Sequence, residues 1–281
     1  MRKTKTYMNV VKYIVISIFV VSVIGVVVFP LSVHLHTKSV IAAIEQNDTE
    51  QLQQLMRSPF KNLNSKPTPW LFEALTEESS QTPLQAACKA GNLEMVSILL
   101  ENGADVNYTH WDMSRNQGSA LTNAAGSLSS ERFDIIKLLV ENGADVLYQT
   151  YNGYDALDCA IYTAPNSTET IQIIEYLEQK GADINKRYTG TQDTLLHRAC
   201  SVDSFPVIQY LIEQRGFDIN AVNSDGDTPL IYFMRFASKR SPDTLQYLIE
   251  NGTNLVSRNN EGKSAYDYAV ERHPEFVELL T

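Results

Sequence analysis

Few side chains in this 281-residue sequence are spaced to do covalent chemistry. Of its histidines, His34, His36, His110, His197 and His273, only the first two are neighbours, and two imidazoles alone make no zinc site. Cys88, Cys159 and Cys200 form no Cys-x-x-Cys pair, and no G-x-S-x-G, phosphate-loop or H-E-x-x-H pattern occurs. Asp225-Gly226-Asp227 resembles a calcium loop, but Thr228-Pro229-Leu230 follows it and makes it a turn into a helix. No catalytic residue, cofactor or metal is expected. The suggestive residues are aromatic: Tyr108, Trp111, Tyr148, Tyr151, Tyr154 and Tyr188, with His110 beside Trp111. They crowd three successive turns. Such rings either pad a stack of turns or form a binding surface, since Tyr and Trp dominate the hot spots of protein interfaces.

The elements that carry these turns recur. Residues 81–107 open with Thr82-Pro83-Leu84, continue through Gly91-Asn92-Leu93-Glu94 and close with Gly103-Ala104-Asp105-Val106-Asn107. The closing motif returns as Gly143-Ala144-Asp145-Val146, Gly181-Ala182-Asp183-Ile184-Asn185, Gly216-Phe217-Asp218-Ile219-Asn220 and Gly252-Thr253-Asn254-Leu255. Thr82 and Thr228 can cap a helix, with Pro83 and Pro229 in its first position. Gly91 supplies a left-handed stop, and Leu93, Val96, Leu99 and Leu100 make one apolar helical face. Small Ala87, Ala125, Ala160, Ala199 and Ala237 are expected to let inner helices approach closely. Each unit is then a helical hairpin that buries its open faces on its neighbours.

These motifs resemble the ankyrin repeat, and the resemblance covers about residues 39–281. It implies an all-α ankyrin-repeat solenoid of helix-turn-helix units with short β-turn fingers. Repeats occupy about 81–256. Residues 39–64 read as an incomplete N-terminal cap, 66–80 as an insertion and 257–281 as the C-terminal cap. Taking Pro83 and its equivalents Ala120, Ala156, Leu195, Pro229 and Ala265 as unit starts, extra residues fall between the two helices near 127–132, 163–170 and 238–243. Only the first finger, 108–118, is lengthened. His197 matches the family's structural histidine, which implies hydrogen bonds between turns. Cys88 and Cys200, three units apart, are too distant for a disulfide, because adjacent helices pack about 8–10 Å apart; free cysteines are expected.

The N-terminus is a different physical regime. Residues 13–37 contain no Lys, Arg, Asp or Glu, and the apolar run 13–33 would span about 31 Å as a helix, the thickness of a bilayer core. Residues 1–12 are read as a basic cytosolic start and 13–35 as one transmembrane helix retained as an anchor. Four cations precede the run, so residues beyond about 38 are expected on the non-cytosolic side, in a bacterium the periplasm. Five of the 23 cations precede residue 39, leaving 18 against 33 acids, a balance of −15. So acidic a body argues against a nucleic-acid surface and suits either solubility or a basic partner. The expected function is protein binding at a membrane, with no enzymatic activity. Two narrower roles fit the same architecture: an immunity protein neutralising a secreted toxin, and a scaffold or chaperone for envelope proteins.

Overall fold

The computed structural model describes residues 29–59, 62–64, 81–109, 118–236 and 240–281. The basic start 1–12, most of the apolar run, the insertion 66–80, and His110 and Trp111 lie outside these. Among the described residues there are no strands, and no helix is long and apolar enough to cross a membrane.

The helices come in pairs. The first pair is α1 (Phe29–Glu45) and α2 (Thr49–Leu55). The five inner units follow: α3 (Pro83–Ala90) with α4 (Leu93–Glu101), α5 (Ala120–Ala125) with α6 (Arg132–Glu141), α7 (Ala156–Thr163) with α8 (Thr168–Gln179), α9 (Leu195–Ser201) with α10 (Phe205–Gln209, continuing through Tyr210–Gln214), and α11 (Pro229–Phe236) with α12 (Pro242–Glu250). The array ends with α13 (Ala265–Arg272) and a short 3-10 segment, Pro274–Leu280. All six expected unit starts are the first residues of α3, α5, α7, α9, α11 and α13. The first two expected insertions are centred on the inter-helix loops 126–131 and 164–167; part of the third, 238–239, lies outside the described residues.

Local chemistry explains the starts. Thr82, Ser119, Asp155, Thr194 and Ser264 each accept a hydrogen bond from the backbone N–H three residues on. Thr228 does the same for Ile231, at 3.3 Å. A cap of this kind stabilises a short helix by about 1 kcal/mol. Gly91 ends α3 at φ +72°, where any side chain is strained, and a Cβ there would stand 2.2 Å from the Ser129 Cβ. The glycine thus lets the next unit's loop lie against it.

Packing runs along the stack. Ala87, Ala124, Ala160, Ala199 and Ala269 are fully buried between inner helices, and so are Leu99, Leu139, Leu177, Leu211 and Leu248 from the outer ones. One of the alanines expected at the close contact is displaced. Ala124 takes the position expected for Ala125, although both are buried. In α11 that position is Phe233, five residues after the capping Thr228; Ala237 lies outside the described residues. α1 crosses residues 35–39 without a break and delivers Val40, Ala43 and Ile44 into the first core layer against Leu52.

Candidate protein-interaction surface

Each finger is built by its aspartate. Asp105, Asp145, Asp183 and Asp218 each accept a hydrogen bond at 2.9 Å from the backbone N–H two residues on. All four are exposed, so one edge of the stack carries a row of carboxylates. Asparagines then join finger to finger. Asn64 accepts from Asp105 N–H (2.7 Å) and donates to Gly103 C=O (3.4 Å). Asn107 makes the same pair with Asp145 and Gly143, both at 2.8 Å. Asn220 makes it with Asn254 (2.7 Å) and Gly252 (3.2 Å).

The ladder lapses in the middle of the array. Leu147 stands where a bridging amide is needed and is 64 % exposed. One unit on, Asn185 is in place, but the receiving turn is one residue longer: Phe217 N–H reaches back six residues to Leu211 C=O, whereas Ala104, Ala144, Ala182 and Thr253 reach back five. The extra residue moves the Gly216 turn out of register.

The aromatic residues divide into different environments. Tyr151, 74 % exposed, projects from its finger. Tyr108 and Tyr148 are half-buried; Tyr148 bonds Thr109, and its burial raises the phenol pKa. Half-buried Tyr154 stacks edge-on against Tyr162, with ring centroids 5.7 Å apart, beneath the Arg198 guanidinium at 5.5 Å. Tyr188 corrects the sequence expectation. Its ring is 1 % exposed, clasped between Lys186 at 4.5 Å and Arg198 at 4.6 Å, and it packs the junction instead of facing a partner.

Beneath Tyr154 lies a charged cluster that hydropathy could not reveal. Asp158 is fully buried at the third position of α7, where its carboxylate accepts from Asp155 N–H at 3.2 Å. Burial, then the Asp155 carboxylate, pushes its pKa up to about 7, against the pull of Arg198. Arg198 Nε lies 3.8 Å from Asp158 and 3.4 Å from Asp193, close enough to pair electrostatically but without a hydrogen bond from Nε. Burial disfavours that cation, but its bond to Tyr162 and the two carboxylates outweigh burial and raise its pKa. Lys186 pairs with Asp155. His197 behaves as its motif implied: Nδ1 faces Thr194 Oγ1 at 2.8 Å and Nε2 faces Asp227 C=O at 3.0 Å, and burial lowers its pKa.

The three cysteines are unpaired. Burial pushes the thiols of Cys88 and Cys200 up, and that of Cys159 to about 12, which leaves no reactive thiolate near neutral pH. Among the described residues no three His, Cys, Asp or Glu side chains gather as a metal site. Asp225 and Asp227 instead share Arg235, at 3.1 and 2.8 Å.

Helical hairpins stacked through nearest neighbours, with aspartate-capped fingers along one edge, define a solenoid repeat protein. The chain belongs to the ankyrin-repeat family, whose model for three-copy ankyrin repeats matches residues 40–150, 160–234 and 196–281. Ankyrin repeats are protein-interaction modules. Among curated relatives, alpha-latrocrustotoxin-Lt1a of Latrodectus tredecimguttatus is 30 % identical over 110 residues, a stretch that is 39 % of this chain and 7 % of the toxin. Among solved structures, the human ASB11 ankyrin repeat domain aligns with a TM-score of 0.65 at 23 % identity, covering 86 % of this chain and 97 % of that one. A chain from the complex of the Bdellovibrio bacteriovorus predatory endopeptidase Bd0816 with immunity protein Bd3460 aligns with a TM-score of 0.55 at 25 % identity, covering 72 % of this chain and 98 % of that one.

Proposed function

We propose that this chain is a membrane-tethered ankyrin-repeat module that binds a protein partner on the non-cytosolic side. The observation that carries the reading is the finger edge, where Leu147 and Tyr151 stand exposed on aspartate-capped turns. Large apolar side chains held on ordered turns offer contact area at low entropic cost. The tether rests on the charge-free run 13–33 and the cations before it, and the unbroken α1 would carry that segment directly into the first core layer. A reporter active only outside the cytosol, fused after Thr281, is expected to work; activity solely of a cytosol-dependent reporter there would reverse the topology.

A second reading narrows the partner. The likeness to a chain of the endopeptidase–immunity complex spans nearly all of that chain. It favours an immunity role, in which the module holds a potentially self-damaging envelope hydrolase inactive, over a general scaffold. Co-purification from membranes of cells expressing the full chain tests this. Recovery of a hydrolase whose activity falls on binding supports immunity; recovery of several unrelated envelope proteins with unchanged activity supports a scaffold.

A further inference from the structure

At three finger junctions one carboxamide satisfies two backbone groups at once, the glycine C=O and the N–H two residues later. Opposite Leu147 the same two groups, Gly181 C=O and Asp183 N–H, meet no hydrogen-bond partner among the described residues. They form an acceptor and a donor at the spacing an amide side chain bridges elsewhere in the molecule. Exposed Leu147 holds the position from which Asn107 and Asn220 bridge the other junctions, and exposed Tyr151 lies four residues on. The exposed Asp145 and Asp183 belong to the same two fingers. The cations nearest in sequence are engaged elsewhere, Lys186 on Asp155 and Lys180 over the Tyr176 ring at 5.3 Å. The notch therefore combines an amide-shaped hydrogen-bond pair, an apolar side chain and carboxylates that have no ion pair among the described residues.

Building on the protein-binding reading above, we infer that this notch receives a segment of a basic protein partner through an Asn or Gln side chain. The incoming carboxamide donates to Gly181 C=O and accepts from Asp183 N–H, taking the place that Asn107 holds one junction earlier. An apolar neighbour in the segment covers Leu147, and flanking Lys or Arg residues meet Asp145 and Asp183. The hydrogen bonds give register, the apolar contact gives affinity and the carboxylates steer approach.

The test uses the full chain in detergent and a phage-displayed library of short random peptides, selected in parallel on wild type and Leu147→Asn. The substitution supplies the missing amide from within and closes the notch; slowed hydrogen exchange at the Asp183 amide verifies that the variant folds and is bridged. Peptides enriched on wild type are expected to combine Asn or Gln, an apolar residue and Lys or Arg, and to bind Leu147→Asn about tenfold or more weakly. Leu147→Ala, which keeps the notch open, is expected to weaken the same peptides less and to preserve their amide preference. Peptides that bind wild type and Leu147→Asn equally would overturn the notch while leaving protein binding intact. Failure to enrich any peptide would overturn the notch and leave the protein-binding reading to the co-purification experiment.

Discussion

Two junctions of the same solenoid are held together differently. Between the fourth and fifth units, polar bonds run the full depth of the stack. Asn223 donates to Asp193 at 2.7 Å, Tyr232 to Asp193 at 3.1 Å and Ser224 N–H to Thr191 C=O at 2.8 Å, while His197 meets Asp227 C=O and Asn220 bridges the fingers. Between the second and third units no asparagine staples the described fingers; Arg132 pairs with Glu169 at 2.8 Å and donates to Thr170 at 3.2 Å, and Tyr148 bonds Thr109. Arg132 is 1 % exposed, and its Nη1 has no partner. Both junctions bury similar apolar layers, so stacking alone does not require the polar ladder. The ladder fixes register, and where it lapses the finger edge offers unsatisfied backbone and exposed leucine.

The largest expected effect breaks the well-bonded side. Asp227 is fully buried and accepts from Asn259 at 2.7 Å and Arg235 at 2.8 Å. Asp227→Ala removes two bonds to a buried carboxylate, while Arg235 keeps Asp225 and Glu261 and Asn259 keeps Tyr268, and is expected to cost about 3–5 kcal/mol. Hydrogen exchange should locate the loss between residues 194 and 280, because units contact only neighbours. Leu99→Ala, at a fully buried position of the outer helix α4, is expected to cost about 2–5 kcal/mol in urea unfolding, with protection lost mainly across 82–145. An even loss over the whole array from either variant would refute nearest-neighbour coupling.

The middle of the array should also respond to pH. Asp158 has its pKa raised in the fold, from 3.8 to about 7, chiefly by burial. A raised carboxyl pKa means the native state binds the proton more tightly; the associated stability is full below the unfolded value and lost as pH rises through about 7. Asp158→Asn removes that titration while retaining an acceptor for Asp155 N–H. Relative to wild type, it should gain about 3 kcal/mol between pH 4 and pH 8, measured as the difference in urea unfolding free energies. A constant difference across that range would show that Asp158 stays ionised.

Much of the stack was legible in the sequence because its signals are local. A capping side chain, a first-position Pro or small residue, and a left-handed Gly act within four residues, so α3, α5, α7, α9, α11 and α13 begin where the motifs indicate. The inter-helix insertions were equally visible, since a count of residues suffices to place them. Tyr188 was misread because its finger folds back over α7 and α9, a relation set by three segments. Asp158 and Arg198 escaped notice for a related reason: charged residues read as surface unless their partners, here from neighbouring units, are known. The ladder position of Asn64 was hidden too, because that cap lacks the Gly-Ala-Asp sequence that marks the other fingers.

The smallest expected effect is the most specific. Leu147→Asn should stabilise the chain by about 1 kcal/mol, the usual net value of a hydrogen bond in a fold. A loss of stability would mean that Leu147 contributes packing that its 64 % exposure does not suggest.

Amide hydrogen exchange at the finger positions most directly tests whether the middle of the edge is open. In wild type, Asp105, Asp145 and Asn254, each bonded to an asparagine of the preceding finger, should exchange slowly, and Asp183 should exchange quickly. Leu147→Asn should slow Asp183 to the rate of the others. Equal protection at Asp183 and Asp145 in the wild-type chain would contradict the open notch and with it the difference between the two junctions.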